Sequence, residues 1–149
     1  MKKNFKILDV VPHQTPMSLL DKLESYSDNT LVSSLTIKKD SLFYEELGVP
    51  TWVGLEYMGQ TIAAYGGVKA RNEGRPVKIG FLVSSRRYES PQSHFKLGSK
   101  LTVFVEKVID NPSGLSVFNC SITWSNFIIE ANLNVFLPNK VEEFLEGGV

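Results

Sequence analysis

One ionisable residue sits inside an otherwise apolar stretch. Glu56 lies in PTWVGLEYMGQTIAAYGG, Pro50 to Gly67, with Trp52 and Gln60 four positions to either side. On a helix those three share a face. A carboxyl held on a buried helix loses solvation, which raises its pKa and lets it act as an acid near neutral pH. The plain alternative is a glutamate at a polar gap, bonded to backbone or exposed at an edge. Gln60 can orient that carboxyl or a water, or serve as a buried structural amide. The chain has two histidines, His13 and His94. Neutral imidazole is a suitable base, and His13, in PHQTPM, is either that base or a brace for the N-terminal arm. His94, in SPQSHF, reads as a solvated loop residue. Cys120, the single cysteine, falls mid-strand near Phe118 and reads as an inert buried thiol. Two histidines and one cysteine far apart make no zinc pattern, so no metal site is expected. Phosphate loops, dinucleotide fingerprints and Gly-x-Ser-x-Gly elbows are absent.

The elements that must position these groups follow from composition and period. Pro50 to Gly67 has helical composition, rich in Leu, Met, Gln and Ala, with Pro50 and Thr51 suiting a start and Gly66-Gly67 a stop. The helix can also run on through Val68 to Arg71 before Gly74-Arg75-Pro76 ends it. Trp52, Val53, Leu55, Met58, Ile62 and Ala63 cover nearly its whole circumference, predicting burial on most sides. Gly59, Ala63 and Ala64 are small enough for a sheet or second helix to come close. Residues 1 to 17 read as an extended or irregular arm, because two prolines in PHQTP oppose helix. Strands are predicted over Ser18–Ser25, Thr30–Lys38, Val77–Glu89, Lys100–Asp110, Gly114–Trp124 and Phe127–Leu137. Leu101, Val103, Val105 and Val108 line one of these, and Ile128, Ala131, Leu133 and Val135 another. Short connections such as Trp124-Ser125-Asn126 imply antiparallel neighbours. One apolar helix followed by antiparallel strands is an α+β domain. A helix apolar on almost every side needs either a sheet that curls around it or a second subunit.

The totals set the outer bounds. At 149 residues the chain is expected to be one domain, 1–149, with its core at about 7–138 and a tail over 139–149. Basic and acidic residues balance at 16 each. No basic patch is visible, which argues against nucleic acid as a partner. Lys6 and Asp9 break the apolar stretch a signal peptide would need. No segment approaches the ~18 apolar residues of a membrane span. A single cysteine suits a reducing compartment. The expectation is a soluble, cytoplasmic globular domain.

These residues also carry a family pattern. VGLEYMGQTIAA resembles the central-helix signature of FabZ-type 3-hydroxyacyl-[acyl-carrier-protein] dehydratases, and Pro12-His13, Pro16-Met17 and Leu19-Leu20-Asp21 resemble their N-terminal segment. The fuller likeness is to the ApeP-like branch associated with aryl polyene biosynthesis. It runs through Pro50-Thr51-Trp52-Val53-Gly54, then Gly80-Phe81-Leu82 with Arg86-Arg87-Tyr88-Glu89, then Val117-Phe118-Asn119-Cys120. It covers roughly residues 7 to 138.

The resemblance implies a hotdog fold, a curved antiparallel sheet wrapped around one long central helix, in a homodimer or a heterodimer with another hotdog protein. It implies a substrate carried on the phosphopantetheine of an acyl carrier protein, no cofactor, and reversible loss of water from C2–C3 of a 3-hydroxyacyl thioester. Such a reaction needs a base for the C2 proton, an acid for the departing hydroxyl, and donors for the thioester oxygen. The family's carboxyl carries over onto Glu56. Its histidine lies in a Gly-His-Phe-Pro-Gly loop, where this chain has DSLFYEEL, Asp40 to Leu47. That leaves His13 as the candidate base within the matched motifs. Val53, Gly54 and Leu55 can present N–H groups to the thioester oxygen, with Gly54 allowing close approach. Tyr57, Met58 and Phe81 can line an acyl tunnel, or be core. One of Arg86 and Arg87 can meet an acidic carrier protein or the pantetheine phosphate. Three readings stay open: an active dehydratase, a silent hotdog partner of an active paralogue, and an acyl thioesterase.

Overall fold

The computed structural model describes residues 4–10, 18–74 and 81–136, with the backbone alone at 8, 81–84 and 86. His13, the arm around it and the tail beyond Phe136 lie outside the described residues.

Strands β6 (Lys100–Asp110), β7 (Leu115–Trp124) and β8 (Phe127–Phe136) are where the period-2 pattern is strongest, and they form the middle of the sheet. Leu101, Val103 and Val105 alternate inward from β6, and Phe118, Cys120 and Ile122 do so from β7. Register places Val103 opposite Ile122 and Val105 opposite Cys120, while Cys120 and Ile122 face Ala131 and Ile129 of β8. Each of these pairs therefore buries two side chains on one face of the sheet. Strands β1 (Lys22–Tyr26), β2 (Thr30–Thr36) and β4 (Phe81–Arg86) complete an antiparallel six-stranded sheet in the order β1-β2-β6-β7-β8-β4. A second, two-stranded sheet joins β3 (Val49–Pro50) to β5 (His94–Phe95).

A 3-10 turn over Thr51–Val53 leads into helix α2, Gly54–Asn72, which packs against β2, β6 and β7. Its inner face buries Met58, Ile62, Tyr65 and Val68 against the sheet residues just named. At mid-helix a polar pair crosses the layer boundary. Thr61 Oγ1 donates to the Tyr57 carbonyl at 2.7 Å, so the buried Ser33 hydroxyl of β2, 2.7 Å away, must donate to Thr61. Both hydroxyls are fully buried and both are satisfied.

Several elements differ from the sequence expectation. Of the two ends expected for α2, the helix takes the later one, running past Gly66-Gly67 and through Arg71 to Asn72; Gly67 instead makes room for a neighbour, since a Cβ there would lie 1.7 Å from the Val10 carbonyl oxygen. That neighbour is helix α1, Ile7–Val10, inside the segment expected to be extended. Arg71 Nε donates to the Asp9 carbonyl at 3.0 Å and secures the same contact. The first strand begins at Lys22 rather than Ser18, and β4 is described only over Phe81–Arg86. Val108 and Ile128 face solvent, not the core. A register shift between Lys107 and Ile109 breaks the inward alternation of β6, and on β8 it is Ile129 that is buried.

The Gly67 contact makes a direct prediction. Gly67→Ala is expected to lift α1 from α2 and expose Ile7 and Val10, both buried in the wild type. The cost is about 2–4 kcal/mol, from the loss of two aliphatic burials partly offset by regained chain entropy. Urea denaturation measures it, and limited proteolysis at the N-terminus reports the release. An unchanged midpoint would mean that α1 contributes no stability.

Candidate functional site

Glu56 occupies the first turn of α2, near the positive end of the helix dipole, which favours a negative charge. Its side chain is exposed in the single chain. It lies on the solvent-facing row of the helix with Trp52, Gly59 and Gly66, and Ala63 borders the same row. The expected burial on nearly all sides therefore holds for the inner face and fails on this one. Trp52 is 61 % exposed and pairs with Phe43 at 5.4 Å between ring centroids, the two rings tilted by 58°. A Cβ placed on Gly59 would meet no atom within 4 Å.

The carboxyl is nevertheless held. Gln60 is completely buried, and its Oε1 accepts the Leu19 N–H at 2.8 Å. A backbone N–H can only donate, so the amide orientation is settled and Nε2 must point the other way. Nε2 donates to Glu56 Oε1 at 3.1 Å. A buried, backbone-anchored amide thus fixes one oxygen of an outward-facing carboxyl.

The other residues picked out from sequence divide between helix start and core. Val53 is fully buried and Leu55 half-buried. Gly54 donates its N–H to the Thr51 carbonyl, and a Cβ there would sit 2.0 Å from the Tyr88 hydroxyl. The close approach that Gly54 permits is thus one by Tyr88, whose hydroxyl also donates to the Thr51 carbonyl. Tyr57 and Met58 are core residues, Tyr57 against Phe95 at 5.9 Å. Burial pushes both the Tyr57 and the Tyr88 phenol above the ordinary range, so both are neutral donors. Phe81 is placed in edge strand β4 by its backbone, and Arg87 is exposed beside it with φ of 64°. Burial pushes the Cys120 thiol up to about 12, in keeping with an inert sulfur. Tyr88 was missed as a helix-start residue. Its sequence signal is its place in the Arg86-Arg87-Tyr88-Glu89 run.

A cleft of about 310 Å³ opens at the opposite end of α2, between Tyr65, Val68, Lys69 and Glu73 and the β1–β2 turn at Tyr26–Asn29. Lys69 is some 20 Å along the helix axis from Glu56, thirteen residues at about 1.5 Å each. That cleft belongs to a different part of the surface from the carboxyl. Among the described residues no group of three or more His, Cys, Asp or Glu is placed to hold a metal ion. No helix among them is long and apolar enough to cross a membrane.

Residues 5–146 match a family model described as ApeP-like, ApeP dehydratase. Among solved structures, the chain is similar to the dehydratase heterocomplex ApeI:P from Xenorhabdus doucetiae. That match has a TM-score of 0.86 and 23 % identity, covering 97 % of this chain and 98 % of that one. A hypothetical thioesterase with coenzyme A from Streptococcus pneumoniae TIGR4 matches with a TM-score of 0.60 and 17 % identity over 78 % and 84 % of the two chains. The E. coli PaaI protein matches with a TM-score of 0.58 and 9 % identity over 76 % and 80 %. These likenesses show the hotdog fold expected from the sequence. No curated protein sequence matches the chain.

Proposed function

We propose, from the premise that this chain belongs to the ApeP-like dehydratase family, that it is one subunit of a two-chain hotdog dehydratase. Its substrate is a 3-hydroxyacyl group held as a thioester on the phosphopantetheine of an acyl carrier protein, in aryl polyene or fatty acid assembly. The observation that carries this reading is the Leu19–Gln60–Glu56 hydrogen-bond chain on an open helix face.

The geometry supports a division of labour. Glu56 is the acid that hands a proton to the departing C3 hydroxyl. Gln60 keeps the carboxyl from rotating, so that the acid meets the ligand in one orientation. His13 is the proposed base for the C2 proton. Val53, Gly54 and Leu55 begin the helix whose dipole favours charge on the thioester oxygen. Gly54 N–H already bonds Thr51, so that help comes from the helix end as a whole. Phe81 is the proposed wall beside the acyl chain, whereas Tyr57 and Met58 serve the core.

The exposed row is the reason for a second subunit. An acid of this kind works best where water is excluded and electrostatic interactions are strong. In the single chain Glu56 faces solvent, while Gly59 and Ala63 beside it leave room for another backbone to approach closely. The heterocomplex of the similar Xenorhabdus chain supports a hotdog partner over a lone chain.

The test is to incubate the protein with a 3-hydroxyacyl carrier protein, alone and with a second hotdog subunit, and to follow the acyl group by mass spectrometry. Loss of water that appears, or rises sharply, with the second subunit is the expected result. Release of free acid in place of dehydration would overturn the reading in favour of a thioesterase.

A further inference from the structure

A second constellation of side chains lies where the loop before α2 meets β5. His94, expected to be a solvated loop residue, has both ring nitrogens engaged. Nε2 lies 2.9 Å from Glu45 Oε1, and Nδ1 lies 2.9 Å from Ser93 Oγ. A carboxylate can only accept, so Nε2 carries the ring proton of the neutral imidazole. Nδ1 is then a bare lone pair, and the Ser93 hydroxyl donates to it. This is the order of a carboxylate–imidazole–hydroxyl relay: the acid selects the tautomer, and the ring receives the hydroxyl proton.

Backbone pairing holds all three residues. Glu45 exchanges N–H to carbonyl bonds with Gly48 at 2.8 and 3.0 Å. His94 is paired to Pro50 in the two-stranded sheet. The Ser93 carbonyl accepts from the Thr51 N–H at 3.0 Å and from Thr51 Oγ1 at 3.2 Å. One residue further back, the Gln92 carbonyl accepts from Thr51 Oγ1 at 2.9 Å and from Ser90 Oγ at 2.6 Å. The hydroxyl end is open to solvent, whereas the His94 side chain is only 18 % exposed.

We propose that Ser93 is an acyl-accepting nucleophile, activated by His94 and Glu45, for activated esters and thioesters. Ser93 Oγ bonds to the acyl carbon as its proton passes to His94 Nδ1. The bond from that carbon to the leaving thiolate or phenolate then breaks, and the leaving group takes the proton. The product is an ester on Ser93, which water cleaves by the same route to free acid and the original serine. The relay is contained in one chain and involves neither Glu56 nor a second subunit.

p-Nitrophenyl acetate is the direct probe, with the full chain, nitrophenolate release read by absorbance, and peptide mass mapping of the acetylated protein. A burst near one equivalent with acetyl on Ser93 is expected. Ser93→Ala abolishes both. His94→Gln slows the burst by about 10²-fold or more, and Glu45→Gln slows it by about tenfold or more. Ser27→Ala, a serine bonded to Thr30 and not to histidine, reacts as wild type. Acetyl confined to lysines, or a burst that survives in Ser93→Ala, would overturn the proposal. So would a Glu45→Gln burst at the wild-type rate.

Discussion

Glu56→Gln lowers the rate of water elimination by about 10²- to 10⁴-fold in the two-subunit assembly, the share a positioned proton donor contributes. The exchange keeps size and shape, and Gln60 Nε2 still finds an oxygen to donate to, as it does in the wild type at 3.1 Å. The side chain is exposed in the single chain, so folding stability should move by no more than about 0.5 kcal/mol. The loss should fall in kcat with little change in KM, since the carboxyl is asked to act on the reacting hydroxyl and not to bind the carrier. Gln60→Ala is the informative contrast. It strands the Leu19 N–H and removes the Gln60 bond from the Glu56 carboxyl, costing about 1–3 kcal/mol of stability and only part of the rate. Single-turnover kinetics on the two variants, beside their urea midpoints, separate acid chemistry from positioning. A Glu56→Gln subunit that supports full activity would make this chain the silent partner of an active paralogue.

The second large effect is on stability. Phe95→Ala is expected to cost about 3–5 kcal/mol, the range for truncating a buried aromatic without collapse of the cavity left behind. Phe95 is fully buried between Tyr57 at 5.9 Å and Trp124 at 4.8 Å, so it ties the short β3–β5 sheet to both α2 and the central strands. Neither neighbour can follow it inward: Tyr57 is fixed in helix α2 and Trp124 in the β7–β8 hairpin. Ile128→Ala, on the outer face of β8 and 49 % exposed, serves as the control and should shift stability by about 0.5 kcal/mol or less. Equilibrium denaturation of both variants decides it. A Phe95→Ala cost as small as that of Ile128→Ala would mean that the packing around Phe95 repairs itself.

These two residues differ sharply in how far the sequence announces them. Glu56 is legible at once, because a lone carboxyl in an apolar helix is an anomaly at any level of description. Phe95 is not, because SPQSHF has turn composition and a two-residue strand has no period to detect. Its burial comes from what lies across from it, Val49 in the pairing and Trp124 in the core. His94 was hidden for the same reason, since its partner Glu45 lies 49 residues earlier.

The sequence alone determined the class of fold, the long strands β6, β7 and β8, the central helix and the acid it carries. Periodicity and composition are local properties, and each of those elements is long enough to express them. Only the tertiary structure decided which of its two expected ends α2 takes, which way Glu56 faces and what holds it. Gly67 is passed over as a stop because the Val10 backbone lies against it. The outward row of α2 stays open because the sheet covers only the opposite face. Gln60 is aimed at Glu56 because Leu19, 41 residues earlier, takes its oxygen. Each outcome depends on atoms brought together by chain folding across long separations, and spacing along the chain carries no record of such meetings.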